Sequence, residues 1–126
     1  YYLSKQIKTP SLVIIDGIAD LVSDVNDLQE SNAIVQTLME WSSRFNCHII
    51  NVIHQNYGSA KMTGHLGSFL EKKCETHIEL EANTINKEWV TVKCKRSRGY
   101  PFETFSFKVN EYGLPVIVDN LYDPLK

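Results

Sequence analysis

Asp16 stands directly behind Leu12-Val13-Ile14-Ile15, an aspartate closing a continuous aliphatic run rich in β-branched residues. Such a run reads as a strand buried on both faces, and the carboxyl end of a buried parallel strand is where open α/β sheets bind ligands. A carboxylate there suits a hard cation such as Mg²⁺, held through its water shell beside phosphates. It equally suits a phosphoacceptor, or a plain polar strand end. A second polar exit, His54-Gln55-Asn56, follows the aliphatic run His48 to Ile53. Ends of neighbouring parallel strands converge on one crevice, where the Gln55 amide could sense a phosphate or orient a water. His54 has no visible partner for general-base work, so Gln55 is the preferred candidate, against the simpler reading of a polar strand exit.

Charge points to a third candidate. Between Lys8 and Arg44 there are six acids and no basic residue, whereas Lys93, Lys95, Arg96 and Arg98 fall within six residues free of acids, in a chain of net charge -2. This patch reads either as a phosphate contact or as a solvated strand end. It is too small to hold duplex DNA by charge alone, which takes many phosphate contacts. Cys47-His48 and Cys74-Glu75-Thr76-His77 do not have the paired spacing of a zinc knuckle, and nothing nearby activates a thiol. A Gly-x-x-x-x-Gly-Lys-[Ser/Thr] loop and a Gly-x-Gly-x-x-Gly turn are both missing from the sequence.

The elements that must position these residues follow from periodicity. Ala33, Ile34, Leu38, Trp41 and Phe45 mark one face of a helix after the polar stretch Ser23 to Ser31, with Asn46 closing it. Strand, helix and strand (Ser11 to Ile15, then this helix, then His48 to Ile53) predict a parallel βαβ unit. Tyr57 to Gly67 carries three glycines and no period, which predicts a mobile loop, and Ser68 to Lys73 a short helix with Ser68 near its start. From His77 the pattern alternates. His77 to Glu81, Glu88 to Lys93 and Thr104 to Val109 predict antiparallel strands with one wet face, joined by turns at Asn83 to Lys87 and Asn110 to Gly113, before a last strand at Leu114 to Val118.

Composition sets the limits. With 126 residues, 43% of them hydrophobic and 22% charged, the chain is sized as one domain with its own core and excludes disordered and collagen-like classes. Its three cysteines fit buried thiols in a reducing compartment. Its longest apolar runs are far short of the ~20 residues that span a bilayer, so a cytoplasmic protein with no membrane partner is expected. The chain starts Tyr1-Tyr2 without Met, which suggests part of a longer protein.

In order and spacing, the segments resemble the C-terminal part of the RecA-like ATPase core of RecA, RadA and the RepA-type and DnaB-type helicases. The match runs from about Ser11 to Ile117. Leu12 to Asp16 with Gly17-Ile18-Ala19-Asp20-Leu21 is similar to the Walker B strand and its continuation. His54-Gln55-Asn56 resembles the strand end that couples nucleotide state to DNA, and Tyr57 to Gly67 sits where the family has a DNA-binding loop. Val92-Lys93-Cys94-Lys95 resembles the family's Val-Lys-x-Lys stretch, whose lysines approach the γ-phosphate bound by a neighbouring subunit.

The resemblance implies a partial RecA-like α/β core, parallel strands with a crossover helix followed by antiparallel strands, with residues 1–126 forming the C-terminal portion of one ATPase domain. It implies Asp16 as the Mg²⁺-positioning residue, Gln55 as the γ-phosphate sensor, and Lys93 and Lys95 as cations reaching a neighbour's site. Arg96 and Arg98 could share that ATP-facing task. Lys61, Gly64, His65 and Gly67 would contact DNA, expected single-stranded, and a homo-oligomer would form through the Lys93/Lys95 face. The parent would act in replication, recombination or mobile-element transfer. The Walker A loop and the catalytic glutamate that the family places before Walker B are not in this sequence, and Gly17 stands where RecA has a hydroxyl residue. The isolated chain is therefore expected not to hydrolyse ATP. The competing expectation is a non-enzymatic, degenerate α/β module that binds DNA or protein.

Overall fold

The computed structural model describes residues 8–56 and 61–118. The chain is mixed α/β and divides into two compact units, Tyr1–Lys73 and Cys74–Lys126. Among the described residues no helix is long and apolar enough to cross a membrane.

In the first unit, β1 (Leu12–Asp16) pairs in parallel with β2 (His48–Val52), and the 17-residue helix α1 (Leu28–Arg44) crosses between them. The expected βαβ unit is present. α1 begins earlier than the apolar period suggests because Asp27 caps it, its carboxylate accepting the Glu30 N–H at 2.7 Å. Glu30 reaches back in turn and accepts from both the amide and the hydroxyl of Ser23, at 2.9 and 2.7 Å. These bonds, the Ser23 amide first, hold the Glu30 carboxyl below its ordinary pKa. At the other end Asn46 takes φ +47, the left-handed conformation that closes a helix.

The core of this unit is Ile18, Val35, Leu38, Leu66 and Leu70, with Ile15, Ile49 and Ile53 packed against it from β1, β2 and the β2 exit. Leu66 and Leu70 belong to α2 (Gly64–Lys73), which packs beside α1. α1 buries Val35 and Leu38 in this core, whereas the expected Ala33 is exposed. β1 and β2 depart from the expectation of strands buried on both faces. Leu12, Ile14, Ile50 and Val52 share the outward face, and Ile14 is 61% exposed. The core lies against Ile15 and Ile49, one face of the pair, so alternate aliphatic residues meet solvent on the other.

The second unit is an antiparallel sheet in the order β3 (Thr76–Ala82), β4 (Trp89–Ser97), β5 (Phe105–Val109), β6 (Pro115–Val118). Its turns follow the asparagines. The Asn83 side-chain oxygen accepts from the amides of Ile85 and Asn86, and that of Asn110 from Tyr112 and Leu114, while Gly113 supplies the positive φ of +76. The alternation is as the sequence predicts, but in β3 the apolar row is not the covered one. Glu79 and Ser106 are buried, and Ile78 and Leu80 are more than half exposed. Much of the polar row is engaged sideways. Thr91 and Ser106 share a hydrogen bond at 3.3 Å, Asn83 donates to Thr91 at 3.2 Å, and Glu79 and Glu81 meet lysines of β4.

Candidate functional site

Asp16 is the last residue of β1, in register with Val52 of β2, and its side chain is exposed. The Asp16–Gly17 peptide is cis. A Cβ on Gly17 would touch the Val52 carbonyl oxygen at 3.5 Å, so the chain crosses the end of β2 in van der Waals contact. Ile18, fully buried, then anchors the exit in the core and begins the 3-10 turn Ile18–Leu21. The aspartate is therefore held at a fixed strand end beside the β2 exit, and no hydrogen bond or ion pair among the described residues engages its carboxylate.

The β2 exit is better ordered than a loop. The His54 carbonyl accepts both the amide (3.2 Å) and the hydroxyl (2.8 Å) of Thr63, Gln55 bridges to Met62, and the Asn56 amide donates to the Lys61 carbonyl at 2.9 Å. Residues 54–56 and 61–63 thus form the base of a short antiparallel arm. Tyr57 and residues 58–60 of the expected nucleic-acid loop lie outside the described residues. The rest of that segment is not loop: α2 starts at Gly64, four residues before the expected Ser68, so Gly64, His65 and Gly67 are helical. Ser68 is within the first turns, its hydroxyl donating to the Gly64 carbonyl at 3.4 Å, and it does not cap the helix.

The two glycines do different things. Gly64 has φ +66, and a Cβ there would lie 2.5 Å from the Val25 carbonyl oxygen. It lets α2 begin hard against the segment before α1, where the Leu66 amide donates to the same carbonyl at 3.1 Å. Gly67 is buried, and a Cβ would run into the Met62 Cβ at 2.5 Å. Its contribution is close packing, and it has no surface to offer a nucleic acid.

Beside this arm opens a shallow cleft of about 350 Å³ whose polar lining is Asn26, Asn56, Lys61, His65, Ser68 and Glu71, with Met62 and Gly64 also lining it. Two amides, an ammonium, an imidazole, a hydroxyl and a carboxylate make a hydrogen-bonding surface suited to sugar, base edge or backbone phosphate. Lys61, Gly64 and His65 are among the residues the sequence singles out for nucleic acid; Asn26, Asn56, Ser68 and Glu71 are not. The signal for two of these was the spacing His65, Ser68, Glu71, at i, i+3 and i+6 of one helix face, which is hidden if the helix is started at Ser68. Asp16 and Gln55 do not line the cleft.

The basic stretch belongs to the second unit. Lys93 and Lys95 lie on β4, and each is ion-paired to an acid of β3, Lys93 to Glu81 and Lys95 to Glu79, the latter at 3.2 Å. The hydrogen bond to Glu81 raises the Lys93 pKa above the ordinary lysine value. Reading the tract as free of acids is correct along the chain and incomplete in space, because strand pairing brings two carboxylates to it. Arg96 ends up opposite His77, and the Arg98 amide donates to the Glu75 carbonyl at 3.0 Å. Among the described residues no group of three or more His, Cys, Asp or Glu side chains could hold a metal by itself. Cys47 is buried, Cys74 and Cys94 are half-buried, and none of the three is in a disulfide.

No protein-family model matches the chain, and no curated protein matches it either.

Proposed function

We propose that this chain is the C-terminal segment of a RecA-like ATPase acting on DNA, the parent supplying the phosphate-cradling loop. The observation that carries the reading is the pairing of two polar exits on adjacent parallel strands. Asp16 and His54-Gln55-Asn56 stand at the same end of β1 and β2, and the second exit runs straight into the arm and cleft of Lys61 and His65. An exposed, unengaged carboxylate at that end fits one outer-sphere contact to a hydrated Mg²⁺. Bound MgATP would supply the phosphoryl group and the charge to be neutralised.

Each residue then has a defined task. Asp16, at a strand end followed by the buried Ile18, would hold the hydrated cation. Gln55 sits one residue from the Asn56–Lys61 hydrogen bond, so a change in what its amide contacts alters the arm directly. Lys61 and His65 offer cationic and hydrogen-bonding contact to a single strand. The β4 lysines complete a neighbour's site across a homo-oligomer, a role worth ~10³-fold or more in rate for a trans cation. The test is Asp16→Asn in the parent protein: Mg²⁺-dependent ATP hydrolysis falls on the order of 10²-fold or more, and unchanged hydrolysis would refute the reading.

A second reading, a degenerate α/β module that binds DNA or protein without hydrolysis, is favoured by one observation. Both β4 lysines already have partners within this chain. Single-stranded DNA binding that is insensitive to ATP and to Asp16→Asn would select it.

A further inference from the structure

The four strands of the second unit share one apolar face. Across it Leu80 stands beside Val92 and Val92 beside Phe105, and the next row runs Ala82, Val90, Phe107, Ile117. Neither row contains a charged or hydrogen-bonding side chain. Glu79, Glu81, Lys93, Lys95 and Lys108 alternate onto the opposite face. The described elements of this unit are all strands, so none of them forms a second layer over the apolar rows. Ile78, Leu80, Val109 and Ile117 are each more than half exposed. At about 1.45 Å² of unfolded-chain surface per dalton, these four residues alone leave roughly 400 Å² open to water. A contiguous apolar patch of that order is commonly an interaction site.

The face itself indicates its occupant. A chain of net charge -2 meets like charge when most of its surface docks on its own copy, but these rows have no charge to repel. They also offer nothing by which a charged helix or an extended peptide would be selected. A surface as flat and apolar as their own fits them, and flat sheets pack face to face about 10 Å apart. With the half-buried Phe105 and Phe107 included, two such faces would bury about 1,000 Å², the lower end of a specific interface. We propose that this face docks on the same face of a second copy, about a twofold axis, as a two-layer sandwich. An interface of this size dissociates in dilute solution. It is separate from the assembly through Lys93 and Lys95, which uses the opposite face.

Sedimentation equilibrium of the 126-residue chain from about 1 µM to 1 mM tests the pairing. Two variants accompany it, Ile117→Lys and Val116→Lys, neighbours on β6 that point to opposite faces and are both exposed. Circular dichroism confirms that each is folded. The average mass should rise with concentration from 14.4 kDa toward twice that value. Ile117→Lys should remain monomeric throughout, and Val116→Lys should associate like the parent sequence. Cys94, in register with Ile78 on the apolar face, should be alkylated several-fold more slowly at the top of the range than at the bottom. A mass that stays at 14.4 kDa overturns the proposal, even with Cys94 protected, since another segment would then cover the face. Association lost in Val116→Lys alone, in both variants or in neither overturns it as well, and so does a Cys94 rate independent of concentration.

Discussion

Among the described residues of Tyr1–Lys73 the buried side chains are mainly aliphatic, centred on Ile18, Val35, Leu38, Leu66 and Leu70 with Ser31 and Cys47 also buried, and the polar residues of interest stand outside them at strand ends and along a helix face. In Cys74–Lys126 the buried set joins Val92 to Glu79 and Ser106, and the charged residues of interest are paired to one another across two strands. The first unit keeps its candidate chemistry poised at the edge of a conventional core. The second holds Lys93 and Lys95 in ion pairs with Glu81 and Glu79 of the neighbouring strand. The difference teaches that a basic tract in a sequence is a statement about neighbours along the chain, whereas availability is decided by neighbours across the sheet.

That contrast can be broken by stability measurements. Leu66→Ala removes a fully buried side chain of the first unit and should cost about 2–5 kcal/mol in urea unfolding. Leu80→Ala, at 62% exposed in the second, should stay within about 0.5 kcal/mol. Equal costs would mean that the two units are not built differently. Next in size is Gly67→Ala, whose methyl group has no room against Met62; a loss of about 1–3 kcal/mol is expected, with single-stranded DNA binding affected only through stability.

Smaller effects sharpen the comparison within the second unit. Lys95→Met removes one partner of the buried Glu79 carboxylate and should destabilise by about 1–3 kcal/mol, the buried-pair penalty being discounted for the lysine's own exposure. Lys93→Met should change stability by less than about 1 kcal/mol. A reversed order would contradict the contrast between a buried and an exposed carboxylate partner.

The smallest signals are in pH. Glu30 has a lowered carboxyl pKa in the folded chain, so its contribution is complete above the ordinary glutamate value of about 4.3 and fades as pH falls through the folded value. Lys93 has a raised pKa, so its contribution is complete below the ordinary lysine value of about 10.4 and fades as pH rises through the higher folded value. Glu30→Gln should therefore flatten the acid limb of the stability profile in the first unit and leave the alkaline limb alone. Loss of the alkaline limb in that variant would refute the assignment.

Much of the fold was legible because strong local signals agreed. The aliphatic runs ending at Asp16 and Ile53, with a helical period between them, specify a parallel βαβ unit, and Asn83, Asn110 and Gly113 mark turns that need side-chain acceptors or positive φ. What was not legible depends on contacts distant in sequence. Period two says that Glu79 and Glu81 share a face, but not that this row contains the buried position. Nor does it say that the register puts Lys93 opposite Glu79. The start of α2 was misplaced because Gly64 and Gly67 read as loop residues, when each is needed for a close approach, to Val25 and to Met62. That one displacement concealed the helix face formed by His65, Ser68 and Glu71.

The central claim, that Asp16 and the β4 cation act together at a site shared between subunits, is tested most directly by mixing two inactive parents. Asp16→Asn subunits retain Lys93, and Lys93→Met subunits retain Asp16. In a head-to-tail assembly of equal amounts, about a quarter of the interfaces bring an intact Asp16 against an intact Lys93. The account predicts that the mixture regains ATPase activity of about that fraction of wild type, while neither variant alone is active. Co-assembly with no activity above that of the separate variants would contradict it.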